Sequence, residues 1–294
     1  MNVGATHGEK ELGVQRAGRA QRGGAPDERS EAMAFKRKLL LVYLGIAALL
    51  ALLFVWFQFD TAFMLEWLPY LLKGVPLTLL ICFGGIALAT ILALLGALGR
   101  LSSNAIPQGI ANFYVSFIRG TPLLVQLFFI FFALPQLAFK PSSPAFLESI
   151  FVLQLTVAAI LALGINYGAY MTEIFRAGIQ SIGHGQLEAA HALGMTAGQS
   201  LRRIILPQAV RVVVPPTGNE FIAMLKDSSL VGVVGGQELF FRAQTTGNAQ
   251  AHTFETFAVA ALIYWFLTSV FSFFQKRLEN KVARGHVREQ LHVH

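Results

Sequence analysis

The sequence predicts an all-α fold, a polytopic helical membrane protein with about six transmembrane helices. Three observations carry that prediction. Hydrophobic residues make up 54% of the 294 and charged residues only 13%, against the roughly 25% charge usual in soluble domains. Uncharged apolar runs close to the ~20 residues needed to cross a hydrocarbon core of about 30 Å recur along the chain. Finally, all of the 23 Lys and Arg residues except Lys73, Lys140, Lys226 and Arg242 fall in alternate connecting segments, the bias found on the cytoplasmic side of membrane proteins.

Taken in order, residues 1–38 are rich in Gly, Ala, Arg and Glu, a composition that buries too little surface to order itself. They are expected to form a disordered basic tail. No short apolar core lies near the start, so the run 39–58 reads as a retained first span rather than a cleaved signal. "DTAFMLEWLPYLLK" (60–73) mixes charge, proline and aromatic residues, as an interfacial segment does with Trp67 and Tyr70 at headgroup level. The second span follows over 76–99. "IANFYVSFIRGTP" is expected to run along or into the interface as a helix before 123–139 crosses as the third span. After the turn-rich "KPSSPAFLES", residues 150–170 form the fourth.

The fifth span, 206–225, carries Pro215, Pro216, Gly218, Asn219 and Glu220 and is followed at once by Lys226 and Asp227. It is expected to be broken at its prolines. Residues 257–274 make a clean sixth span, ended by "QKRLENKVARGHVR". The expected layout is therefore a tail (1–38), an additional N-terminal helix (39–58), a core over 70–285 that contains a loop at 173–211, and a second tail (286–294). The charge bias puts both termini in the cytoplasm and accounts for the net charge of +7 without nucleic acid.

Several chemistries are set aside on residue grounds. Cys82 is the single cysteine, which excludes a disulfide framework and a thiolate metal site. His184, His191, His286, His292 and His294 lack zinc-site spacing. No glycine-rich stretch carries the Walker lysine pattern, so the chain is expected to be no enzyme by itself and to bind no cofactor.

One polar stretch stands between apolar ones: "EAAHALGMTAGQSLRRIILPQA", residues 188–209. Adjacent guanidinium groups and a carboxylate cannot lie in hydrocarbon unpaired, so it is a surface loop. Its first half contains good helix formers and ends at Gly194, which can take the left-handed conformation that closes a helix. Ala189 and Ala190 leave a flat surface, and Glu188 can accept charge-assisted hydrogen bonds from an arginine on another protein. Pro207 falls in the first turn of the fifth span, where its missing N–H does little harm.

The spacing of Glu188, Ala189, Ala190, Gly194, Ile204, Leu206 and Pro207 resembles the EAA loop of permease subunits of ATP-binding-cassette importers. Three further stretches, "FIRGTPLLVQLFF" (117–129), "YGAYMTEIFRAGIQSI" (167–182) and "NEFIAMLKDSSL" (219–230), are similar to the polar amino acid branch, which serves histidine, glutamine and arginine uptake. The resemblance covers roughly residues 70–285. It does not extend to the tail and first helix, since that branch commonly has five spans and an outside amino terminus.

The resemblance implies a type I ABC importer permease fold in a bacterial inner membrane, importing a polar amino acid by alternating access. It implies two cytoplasmic ATPase subunits, which carry the ATP and Mg, a second permease chain that is either identical or a sister subunit, and an extracytoplasmic substrate-binding protein. Glu188 to Pro207 would then form the element that docks on the ATPase.

Candidate substrate-path residues are Arg119, Thr121, Pro122, Gln126 and Tyr170, together with Asn219, Glu220, Lys226, Asp227 and Ser228 around the fifth span. Intramembrane ionisable groups are functional candidates by default, and a discontinuous helix offers free backbone groups to polar solutes. Glu220 can equally be half of a structural ion pair. The rival function is a gradient-driven secondary transporter in which Glu220 or Asp227 is a proton or ion site; such a carrier has no use for an EAA-type loop.

Overall fold

The computed structural model describes residues 28–139, 144, 146–182 and 184–283. All regular structure among them is helical. The chain divides into two units, 1–59 and 60–294.

The first unit contains α1 (Glu28–Trp56). Its Phe35–Trp56 portion is 22 residues long and apolar enough to cross a membrane. The helix begins at Glu28, so residues 28–38 are helical where a tail was expected; the rest of that expected tail, and the 286–294 tail, lie outside the described residues.

The second unit begins with α2 (Thr61–Leu72), whose first turn is capped by the Asp60 carboxylate accepting from the Phe63 N–H at 2.9 Å. This is the segment expected at the interface, and Trp67 and Tyr70 meet edge to face on it. Then follow α3 (Val75–Arg100), α4 (Ala105–Arg119), α5 (Leu123–Phe128), a five-residue π-helical turn (Phe129–Ala133), α6 (Leu134–Ala138), α7 (Phe146–Phe151) and α8 (Leu155–Gln180). Next come α9 (His184–Ala192), α10 (Ala197–Ser200), a second π turn (Leu201–Ile205), α11 (Leu206–Asp227), α12 (Leu230–Val233), α13 (Leu239–Gln250) and α14 (Thr253–Ala283). By length and composition α1, α3, α8 and α14 are candidate spans, and α4 with the 123–137 run makes a fifth, bent by 105°. Helix α11, with 22 residues, has the length but not the apolarity of a span. The described residues thus hold four candidate spans, or five with the bent pair, close to the expected count of about six.

The bend follows from local chemistry. Pro122 holds the extended conformation at φ −65° and ψ 139°, and its ring disfavours a helical residue before it. The Gln126 amide then closes the corner by donating to the carbonyls of Ile118 (2.8 Å) and Thr121 (3.1 Å) and to the Thr121 hydroxyl (2.8 Å).

Both π turns lie just ahead of a proline, Pro135 and Pro207. A proline offers no N–H to the carbonyl four residues back and crowds it. The residue before each proline instead bonds five residues back, Leu134 to Phe129 and Leu206 to Leu201. The helix widens rather than stops. The same tolerance appears within α11, which runs unbroken through Pro215 and Pro216, contrary to the expected break. Side chains reinforce those turns: the Thr217 hydroxyl donates to the Val213 carbonyl at 2.8 Å, and Gln275 Nε2 on α14 donates to the Pro215 carbonyl at 2.5 Å.

The core lies between α3 and α8, the most extensively packed helix pair among the described residues, with buried Ala89, Ala93 and Ala97 on one side and Ala158, Ala159 and Ala162 on the other. Small residues let the two backbones approach closely, the usual solution for helix pairs in lipid. Met224 and Leu225 of α11 complete this core. A second cluster joins Leu71, Leu239, Ala260 and Ile263. Beside it the fully buried Glu238 carboxylate accepts from the Tyr264 hydroxyl at 2.6 Å, the Phe241 N–H at 2.8 Å and the Thr78 hydroxyl at 3.3 Å. Sequence reasoning did not single out this residue, which ties α3, α13 and α14 together.

Candidate functional site

Helix α11 sets the site. Glu220 and Asp227 are seven residues apart, two helical turns, and so share one face. Across from them α8 presents Asn166, Tyr167 and Tyr170, and the corner after α4 supplies Thr121, Pro122 and Leu123. Together they line a cavity of about 290 Å³. The Tyr167 hydroxyl donates to Asp227 Oδ2 at 2.8 Å. Asn166 Nδ2 donates to Gln126 Oε1 at 3.1 Å, which fastens the corner to α8. With two carboxylates and only one phenol engaging either of them among the described residues, the wall is rich in acceptors. It suits a solute that carries a cationic group.

Behind Tyr170 lies a cluster of charge. Glu173 receives Arg100, Arg176 Nε at 2.9 Å and, more loosely, Arg119 Nη1 at 3.6 Å. The Arg119 guanidinium also sits 5.1 Å from the centre of the Tyr170 ring.

The sequence candidates divide accordingly. Thr121, Pro122, Tyr170, Glu220 and Asp227 line the cavity. Gln126 is 9% exposed and supports the corner, and Arg119 reaches the rim through Tyr170. Three candidates lie outside this cavity lining. Asn219 is exposed and outside the lining. Lys226 is also exposed and lies in a separate groove with Trp265, Ser269 and Lys276, because one residue along a helix is a rotation of about 100°. Ser228 is fully buried with its hydroxyl donating to the Leu225 carbonyl at 2.7 Å. Leu123, Asn166 and Tyr167 were missed; the signal for Asn166 was an amide inside an otherwise apolar run.

The surface loop is shorter than expected. Helix α8 extends to Gln180 and α11 begins at Leu206, so Glu173 and Arg176 belong to a helix and not to the 173–211 loop. Within it, α9 ends as the sequence indicated: Gly194 takes φ +73°, and the N–H groups of Gly194 and Met195 bond back to the carbonyls of His191 and Ala190 at 2.9 and 3.0 Å. Glu188 and Ala189 are exposed while Ala190 is buried. A capping box between Thr196 and Gln199 then starts α10. Ile204 and Leu206 are half-buried in the π turn and the first turn of α11, and Pro207 is exposed.

Comparison with known proteins places these features. Residues 85–284 match the family described as binding-protein-dependent transport system inner membrane component. The chain is 40% identical over 227 residues to the probable amino-acid permease protein YxeN of Bacillus subtilis, covering 76% of this chain and 96% of that one. It is 35% identical over 225 residues to the glutamine transport system permease protein GlnP of Escherichia coli K12, covering 76% and 98%. Among solved structures it resembles a chain in the crystal structure of an amino acid ABC transporter with histidines, with a TM-score of 0.67, 36% identity and coverage of 76% and 98%. Helix α1 lies outside the family match.

Proposed function

The chain belongs to the family of binding-protein-dependent transport system inner membrane components, and we propose that it imports a polar amino acid by alternating access, driven by separate ATPase subunits that dock on α9. It is a multi-pass amino acid ABC transporter permease of the inner membrane. Two cytoplasmic ATPases would supply the ATP and Mg chemistry, a binding protein would deliver the substrate from outside, and a second permease chain would complete the path. The distribution of Lys and Arg supports a cytoplasmic position for both termini.

One observation carries the coupling: α10, the second π turn and α11 form an uninterrupted helical run over 197–227. A push on the exposed Glu188 face reaches the base of that run, and the run reaches Glu220 about 35 Å further along at 1.5 Å per residue. The helical run that α9 leads into therefore carries both cavity carboxylates. Glu220 and Asp227 face the cationic ammonium of the substrate, and the relatives named for glutamine and for amino acids generally support that class. A gradient-driven carrier would leave the Glu188 face without a role.

The test is copurification and uptake. The chain drawn from native membranes in mild detergent brings an ATPase subunit with it, and vesicles with internal ATP take up amino acids when the binding protein is added. Glu188→Arg leaves the protein in the membrane but abolishes both ATPase retention and uptake. Normal uptake by that variant would sink the coupling role.

A further inference from the structure

We propose that Arg119 is the carboxylate-recognising residue of the cavity, so that the site reads a zwitterion: ammonium at Glu220 and Asp227, carboxylate at Arg119. This rests on the amino acid reading above and deepens it. Three features of the structure carry it.

The first is an excess of positive charge on one side. Glu173 is the carboxylate shared by three guanidinium groups, those of Arg100, Arg119 and Arg176. One negative charge cannot neutralise three positive ones, so the cluster beside Tyr170 keeps a surplus of about two positive charges. The opposite wall holds Glu220 and Asp227 with no basic residue among the cavity lining.

The second is that the three arginines are not equivalent. Arg100 and Arg176 are hydrogen-bonded to Glu173, and Arg176 also bonds to Gln180. Arg119 stands 3.6 Å from the same carboxylate, beyond hydrogen-bonding distance, and among the described residues its side chain makes no hydrogen bond. Its planar fork of donors is left open, the geometry that takes a carboxylate in two parallel bonds.

The third is position. Arg119 closes α4, and two residues later Thr121 and Pro122 line the cavity. Its guanidinium lies over the ring of Tyr170, which lines the same cavity and is 39% exposed. A cation–π contact of this kind holds the guanidinium beside the ring without using its N–H groups. Glu173 thereby acts as a positioning residue: it anchors Arg119 at the rim without saturating it.

The experiment uses the permease with its ATPase subunits, purified without the binding protein, so that only the cavity discriminates. Binding is measured by equilibrium dialysis for L-arginine against agmatine, L-histidine against histamine and L-cystine against cystamine. The first two pairs differ by one carboxylate and the third by two. The wild type prefers at least one amino acid over its amine by about tenfold or more, the equivalent of one charge-assisted pair. Arg119→Gln brings that ratio close to one by weakening the amino acid and sparing the amine, and Arg119→Lys restores part of it. A wild type that binds each amine as well as its amino acid overturns the inference, as does an Arg119→Gln variant that loses both ligands equally while still copurifying with the ATPase. Failure of the amino acid reading looks different: the wild-type complex, given its binding protein and ATP, moves no amino acid into vesicles, and the inference falls with it.

Discussion

Two helix pairs in this molecule solve the same packing problem by different means. Helices α3 and α8 meet through alanines and glycines so closely that an added Cβ at Gly96 would lie 2.4 Å from Thr172 Oγ1, and one at Gly164 would lie 2.6 Å from Leu88 Cδ2. Helix α11 meets α14 through a polar device. The Gln275 amide rests on Gly218, where a Cβ would lie 1.7 Å from its Oε1, and bonds to the Pro215 carbonyl and to Glu279. The apolar interface has one close-packed arrangement and no alternative partners. The polar one is held by an amide that can exchange partners, which is what an element needs if it is to move between two states. The cavity lies where α8, of the apolar pair, faces α11, of the polar one.

The largest effect is expected from breaking the α3–α8 pair. Gly96→Val drives a branched side chain into Thr172, which is fully buried and bonded to the Gly168 carbonyl at 2.8 Å. Overpacking of this kind costs about 1–3 kcal/mol or more. The variant should accumulate poorly and melt at lower temperature in detergent; unchanged melting would remove the distinction between the two interfaces.

A smaller effect is expected at the α11–α14 pair, and there it should be on transport more than on folding. Gly218→Ala collides with Gln275, whereas Gly218→Ala combined with Gln275→Ala relieves the collision but gives up the bond to Pro215. Uptake should be lowest in the single variant and partly recovered in the double, a non-additive pair because the residues touch. Additive losses would mean that Gln275 and Gly218 act separately.

The smallest effect is a difference in labelling. With Cys82→Ala as background, Tyr170→Cys should react with a water-soluble thiol reagent through the cavity, while Ser228→Cys, at a fully buried position, should stay inert. Equal reactivity at both would place Ser228 back on the substrate path and would mean that α11 rotates.

The amino-acid sequence by itself determined the membrane class and the family, because each depends on composition or on short-range spacing. Twenty uncharged residues cross a bilayer wherever they stand, and Glu188 to Gly194 form a closed helical turn from local backbone preferences alone. Asn219, Glu220, Lys226, Asp227 and Ser228 look alike in one dimension, as polar residues near a pair of prolines. Only the tertiary structure separated them. The side of α11 that meets α8 is set by long-range packing, and that packing made Glu220 and Asp227 cavity walls, left Asn219 and Lys226 on another face and buried Ser228. The continuity of α11 through Pro215 and Pro216 was likewise decided by its surroundings: the sequence shows the missing donors, but the amide that reinforces those turns comes from Gln275, 60 residues away.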